Sequence, residues 1–240
     1  MNELTSWQSG HLETIQAFLS HLNETTNAFI LKGGTALMIC YGLDRFSIDV
    51  DLDGRAQDIG EFVSGFCTKH SFSYRVAKDT AIVKRYMVNY GNESKPLKIE
   101  VSYRKRDINP DETDVINGIS VYKIGSLCLM KANAYAGRDR IRDLYDLVFI
   151  CNKYWNELSE SIKAVVRGAV EYKGIEQFDY LMREQSDDLI DKNKLADGFL
   201  GMYDKLGLLF DERERELIDK ATEQDGTGYK RKKNVSCDRL

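Results

Sequence analysis

Lys32-Gly33-Gly34-Thr35-Ala36-Leu37, followed by Arg45-Phe46-Ser47-Ile48-Asp49-Val50-Asp51-Leu52-Asp53, decides the reading of this chain. The glycine pair opens a helix, and a short apolar strand then carries a carboxylate at every second position. Side chains alternate along a strand, so Asp49 and Asp51 point to one side. Two carboxylates aimed one way, beside a glycine turn and a helix N-terminus, suit Mg²⁺ and a nucleoside triphosphate. The carboxylates take the metal and the turn takes the phosphates. Glycine lets backbone N–H groups approach phosphate closely, and Thr35 can cap the helix or bond a phosphate oxygen. Lys32 stands at the start of the same turn. A plain turn with an N-cap would satisfy G-G-T equally, and a solvated acidic pair would satisfy D-x-D. Asp53 precedes Gly54, and Asp-Gly is ordinary turn punctuation, so Asp53 reads as structural.

Outward from this stretch, apolar spacing predicts a helix near 3–22, a strand at Phe29-Ile30-Leu31 and a helix from Thr35 to Tyr41. A strand over Ile48–Asp53 and a helix near 56–69 follow. Three strands are expected at Phe72–Ala77, Ala81–Tyr90 and Leu97–Tyr103, with a weaker one over Gly118–Ile124. From Ser126 the pattern turns helical, with helices over 126–136, 140–153, 156–171, 176–185, 192–207 and 211–223. The expected organisation is a core over residues 1–124, a helical part over 125–224, and a polar, disordered tail over 225–240.

The chain has 240 residues, 42% of them apolar, enough for a sizeable core. No apolar run is long enough to span a bilayer, and no secretory signal opens the chain. Five scattered cysteines and three histidines show no metal-ligand spacing, which fits a reduced, cytoplasmic protein without a zinc site. A formal charge of −4 argues against indiscriminate nucleic-acid binding but leaves room for a local basic patch.

Two further constellations bear on chemistry. Glu100, in Leu97-Lys98-Ile99-Glu100-Val101, interrupts an apolar strand. It is either an edge charge facing water or a third carboxylate completing a metal cradle with Asp49 and Asp51. Phosphoryl and nucleotidyl transfer need carboxylates fixed on rigid elements in this way. Arg138, Arg142 and Asp146 recur at intervals of four in Lys131-Ala132-Asn133-Ala134-Tyr135-Ala136-Gly137-Arg138-Asp139-Arg140-Ile141-Arg142-Asp143-Leu144-Tyr145-Asp146. They can share one helical face, either as a solvated ladder or beside buried surface.

These stretches together resemble the AbiEii/AbiGii-type nucleotidyltransferases, of the polymerase-beta-like nucleotidyltransferase superfamily. The motifs are G-G-T-A-L-x-x-x-Y-G-L-x-R-x-S-x-D-x-D-L, then K-I-E-V, then K-x-x-A-x-x-x-R-x-x-x-R-D-x-Y-D-L. The resemblance implies an α/β (α+β) fold, a small mixed-sheet core followed by a helical C-terminal region. It implies an enzyme that moves NMP from an NTP to an acceptor hydroxyl. Many such proteins are toxins of bacterial toxin–antitoxin or abortive-infection systems, and some act on tRNA 3′ ends. Mg²⁺ (or Mn²⁺), NTP, an RNA acceptor and a cognate antitoxin are thus implied, with no membrane role. By position, Lys32, Gly33, Gly34, Thr35, Ser47, Lys131, Arg142 and Asp143 would bind the NTP. Asp49, Asp51 and Glu100 would hold metal and, with Asp146, carry catalysis, while Asp143 and Asp146 orient basic groups or serve as acid/base. Two departures stand out: Gly34-Thr35 replaces the superfamily's usual Gly-Ser, and Glu100 stands where the third acid is often Asp. Arg104, Lys105, Arg106, Arg138 and Arg140 could guide an RNA backbone, though a solvated face reads as well. The alternatives are a nucleotide- or partner-binding module without turnover, or transfer to a protein acceptor.

Overall fold

The computed structural model describes residues 4–91, 95–105 and 107–209. The expected helix over 211–223, the tail over 225–240 and Arg106 lie outside the described residues. A capping box between Thr5 and Gln8 starts α1 (Ser6–Thr25), which buries Ile15, Phe18, Leu19 and Leu22 along one stripe. There follow β1 (Phe29–Lys32), α2 (Gly33–Tyr41), β2 (Asp49–Gly54) and α3 (Gly60–His70). Next come β3 (Ser73–Asp79), β4 (Val83–Asn89), β5 (Leu97–Ser102), β6 (Thr113–Ile116) and β7 (Ile119–Tyr122). The helices α4 (Ile124–Gly137), α5 (Ile141–Tyr154), α6 (Glu160–Glu184) and α7 (Lys192–Lys205) complete the described chain. None of these helices is long and apolar enough to cross a membrane.

The seven strands form one mixed sheet in the order β3-β4-β5-β2-β1-β7-β6. β2 therefore sits in the middle, antiparallel to β1 and parallel to β5. Val50, Leu52, Ile99, Val101, Leu31 and Val121 are buried on one face of the sheet. The contacts Phe29–Phe62 and Phe18–Phe66 place α3 and α1 against that face. Alternation then sends Asp49, Asp51 and Glu100 to the other face.

Two differences from the sequence reading have local causes. β2 runs on through Asp53 and Gly54, because both stay paired to β1, opposite Ile30 and Phe29. β6 is an additional strand; it forms a hairpin with β7 through Asn117-Gly118, both at positive φ (50° and 79°). Asn-Gly is a strong hairpin signal for that geometry. The two helices expected over 156–171 and 176–185 are both present within α6, separated by a break at Gly174, which leaves helical geometry at φ 71°.

Candidate active site

The side chains of the acids follow from register. In the parallel pair β2–β5, Asp49 lies opposite Lys98, and Asp51 opposite Glu100. The three carboxylates share one face, as the strand spacing requires. Each of the outer two holds a cation. Lys98 Nζ lies 2.7 Å from Asp49 Oδ2, and Arg85 Nε donates to Glu100 Oε2 at 2.6 Å. Asp51, between them, has no direct ion pair among the described residues. Its pKa is raised, first by burial and then by the like charges of Asp49 and Glu100, against the pull of Lys98 and Lys32.

The glycine turn meets this acid directly. Gly33 has φ +76°, and a Cβ there would lie 3.2 Å from Asp51 Oδ2. Only a residue without a side chain sits easily in that conformation and space. No side chain caps the N-terminus of α2, so its first N–H groups open beside Asp51. Gly34 serves differently. A Cβ there would lie 2.7 Å from Arg45 Nη2 and 2.8 Å from Ser47 Oγ, so Gly34 makes room for protein atoms. Thr35 and Ser47 share a hydrogen bond of 3.0 Å, and the Thr35 hydroxyl donates to the Asp49 carbonyl. Thr35 is buried, and its hydroxyl fixes the start of β2.

Lys32 and Asp53 form an ion pair on the same face of the sheet, next to Asp51, and the Tyr122 hydroxyl donates to Asp53 at 3.0 Å. Asp53 is buried in this network instead of marking a turn.

The helical layer supplies a second, cationic wall. Arg45 makes a bidentate pair with Asp146, both arms at 2.7 Å, with side chains 4% and 0% exposed. Lys131 Nζ lies 2.6 Å from the same carboxylate and 3.4 Å from Asp143. Asp143 also accepts from Arg138 Nε at 2.6 Å. Burial works to raise the pKa of Asp143, but the Arg138 hydrogen bond and the Lys131 charge hold it below the usual carboxylate value. Arg142 pairs with Asp187 on the loop after α6. Arg138 and Arg142 are made more basic chiefly by these partners, and further by Asp51 and Asp49 respectively. The arginines of α4–α5 thus lie within electrostatic reach of the sheet acids.

These residues match a known family over most of the chain. The family model for the nucleotidyl transferase AbiEii toxin, of type IV toxin–antitoxin systems, matches residues 17–221. The chain belongs to the AbiEii nucleotidyltransferase family. It resembles the crystal structure of JHP933 from Helicobacter pylori at 25% identity and a TM-score of 0.73, covering 91% of this chain and 100% of that one. A provisionally assigned nucleotidyltransferase from H. pylori matches at 26% identity and a TM-score of 0.71, covering 87% of this chain and 98% of that one. A comparison with curated proteins gives no match. This AbiEii chain is therefore an enzyme of the nucleotidyltransferase class on a mixed α/β fold.

Within the AbiEii frame, the sequence-derived residues separate into groups. Lys32, Gly33, Asp49, Asp51 and Glu100 converge around one patch of the sheet. Lys131, Asp143 and Asp146 form the adjoining ion-paired cluster. Lys105 is held by Glu112 and lies over the Tyr122 ring, while Arg104 and Arg140 are exposed. Sequence reasoning does not single out Arg45, Arg85 or Asp187. Arg45 lies inside the R-x-S-x-D-x-D motif, but its partner is 101 residues away, so no local pattern could pair them. Among the described residues no three acidic, histidine or cysteine side chains converge closely enough to hold a metal as they stand. The donor chemistry nevertheless fits a hard cation: oxygen ligands from Asp49, Asp51 and Glu100 lie on one face, with no direct ion pair on the central Asp51 among the described residues.

Proposed function

We propose that this chain transfers NMP from an NTP to an RNA hydroxyl, with tRNA 3′ ends as the favoured acceptor, using Mg²⁺ or Mn²⁺. The observation that carries the reading is the close approach of Gly33 to Asp51. A phosphate-binding turn and an acid cluster are thereby joined at one point.

Asp49 and Asp51, with Glu100 beside them, would hold the metal, which when bound supplies charge neutralisation at the phosphate under attack. The uncapped first turn of α2 would take triphosphate oxygens with its N–H groups, and Gly33 keeps that approach clear. Gly34, Thr35 and Ser47 support the turn by packing and hydrogen bonding, and Thr35 fixes the backbone of Asp49. Lys131 and Arg138, aimed by Asp143 and Asp146, would face the triphosphate as fixed positive charge. In this role Asp146 is a positioning residue, buried beneath two cations. Arg142 is positioned by Asp187. Lys98 and Arg85 occupy Asp49 and Glu100 in the absence of ligand and would exchange partners when the site fills.

The toxin role of the family implies a cognate antitoxin as partner. We place the reaction in the cytoplasm, where NTP and tRNA are both present.

The test is incubation with each α-labelled NTP, Mg²⁺, and either total tRNA or cell lysate. Label on tRNA, dependent on metal, supports the reading. Label confined to protein would redirect the acceptor, and metal-dependent NTP binding without any transfer would reduce the chain to a binding module.

A further inference from the structure

The face that carries the acids continues outward across the sheet. Arg85 lies opposite Glu100, and Met87 opposite Lys98. On the next strand Arg75 lies opposite Met87, and a register shift after Val76 brings Lys78 opposite Arg85. Lys98, Arg85, Arg75 and Lys78 therefore share the face of Asp49, Asp51 and Glu100. β3 is exposed along its whole length and forms one edge of the sheet. Lys98 and Arg85 are neutralised by Asp49 and Glu100. Arg75 and Lys78 have no carboxylate partner among the described residues. They balance no charge of this chain's own, and they stand on the open side of the acids.

We propose that this row of cations is the shelf on which a single-stranded RNA end lies as it approaches the acids. The inference rests on the nucleotidyl-transfer reading and names the surface that serves it. Three strand spacings separate β2 from β3, about 15 Å, so the shelf is long enough to engage several phosphates leading to the reacting end. An RNA end must approach a patch that already carries three carboxylates. Unpaired cations along its path offset that repulsion. The row favours a polyanion over a protein, because its apolar side chains are Met87 and the buried Val83, with Ser73, Asn89 and Ser102 completing the face. The clusters at 104–105 and 138–140 differ in kind: Lys105 and Arg138 are already ion-paired.

The experiment uses the full chain and the double variant Arg75→Glu, Lys78→Glu. Three quantities are measured: binding of a non-hydrolysable NTP with Mg²⁺, binding of a short fluorescent single-stranded RNA across a salt series, and transfer of α-label to tRNA. The expected result is unchanged NTP binding with RNA affinity lowered roughly tenfold or more. The slope of log Kd against log salt should shrink by about 0.7 for each phosphate that the variant no longer neutralises. Arg75→Ala, Lys78→Ala should fall between parent and reversal. Parental RNA affinity and salt slope in the reversed variant would overturn the shelf, as would label appearing on protein at a rate that the reversal changes. A parent that binds RNA through these residues but binds no NTP would sink the nucleotidyl-transfer reading instead. The RNA-binding measurement thus decides the shelf separately from catalysis.

Discussion

Arg45 and Asp146, 101 positions apart, form a fully buried bidentate ion pair that ties the segment before β2 to the middle of α5. Lys131 shares the same carboxylate at 2.6 Å. Removing Arg45 leaves the buried Asp146 with Lys131 alone, so the cost falls at the low end of the range for breaking a buried pair, about 3 kcal/mol. Arg45→Ala should therefore lower unfolding stability by about that amount in a urea titration. Arg45→Lys should restore only part of it, since an ammonium cannot bridge both oxygens. A loss below about 1 kcal/mol would place the pair with weak surface bridges.

Asp49 should behave in the opposite way. It is half-exposed and paired with Lys98, side chains 34% and 26% exposed, so Asp49→Asn should change stability by no more than about 1 kcal/mol. Nucleotidyl transfer should nevertheless disappear. Thermal melting and label transfer on the same preparation separate the two effects. Full activity with unchanged melting would remove Asp49 from the reaction.

The two glycines of the turn should respond differently. Gly33→Ala forces a side chain onto φ +76° and places Cβ 3.2 Å from Asp51, so NTP affinity should fall while the fold survives. Gly34→Ala drives Cβ into Arg45 and Ser47, 2.7 and 2.8 Å away, and should destabilise the buried clamp itself. Calorimetric titration with a non-hydrolysable NTP, alongside melting, checks both. Equal loss of stability in the two variants would contradict the division of roles.

The strands and most helices are legible in the sequence because their apolar spacing is local. Asp49, Asp51 and Glu100 can be placed on one face from alternation alone. What stays hidden is whatever depends on pairing across the chain. Asp53-Gly54 looks like a turn, yet β1 holds both residues in the sheet. Arg45 carries no local sign of its burial, because its partner arrives from α5. Asp146 reads as a reactive acid until two cations are found on it. The hairpin at Asn117-Gly118 is an exception: its signal is present in the dipeptide.

Acidification should act through two carboxylates of opposite habit. The pKa of Asp143 is lower in the fold than in the unfolded chain, so its contribution to stability is present above the ordinary carboxylate range. That contribution is lost as pH falls through the depressed value. Asp51 has a raised pKa, so it favours the fold below the ordinary range, and that contribution is lost as pH rises through the raised value. Metal-free Asp51→Asn should consequently melt higher than the parent at neutral pH, with the gain shrinking in acid. Melting curves across pH, with Asp143→Asn as the counterpart, check the signs. An Asp51→Asn protein less stable than the parent at neutral pH would contradict the assigned environment.

The most direct test of the central claim, that Gly33 and the acids around Asp51 form one nucleotidyl-transfer site, compares α- and γ-labelled NTP in the parent and in Asp51→Asn. The parent should pass only the α-label to acceptor, and only with Mg²⁺ or Mn²⁺ present. Asp51→Asn should keep its fold and pass none. Transfer of the γ-label, or undiminished α-label transfer by Asp51→Asn, would contradict the account.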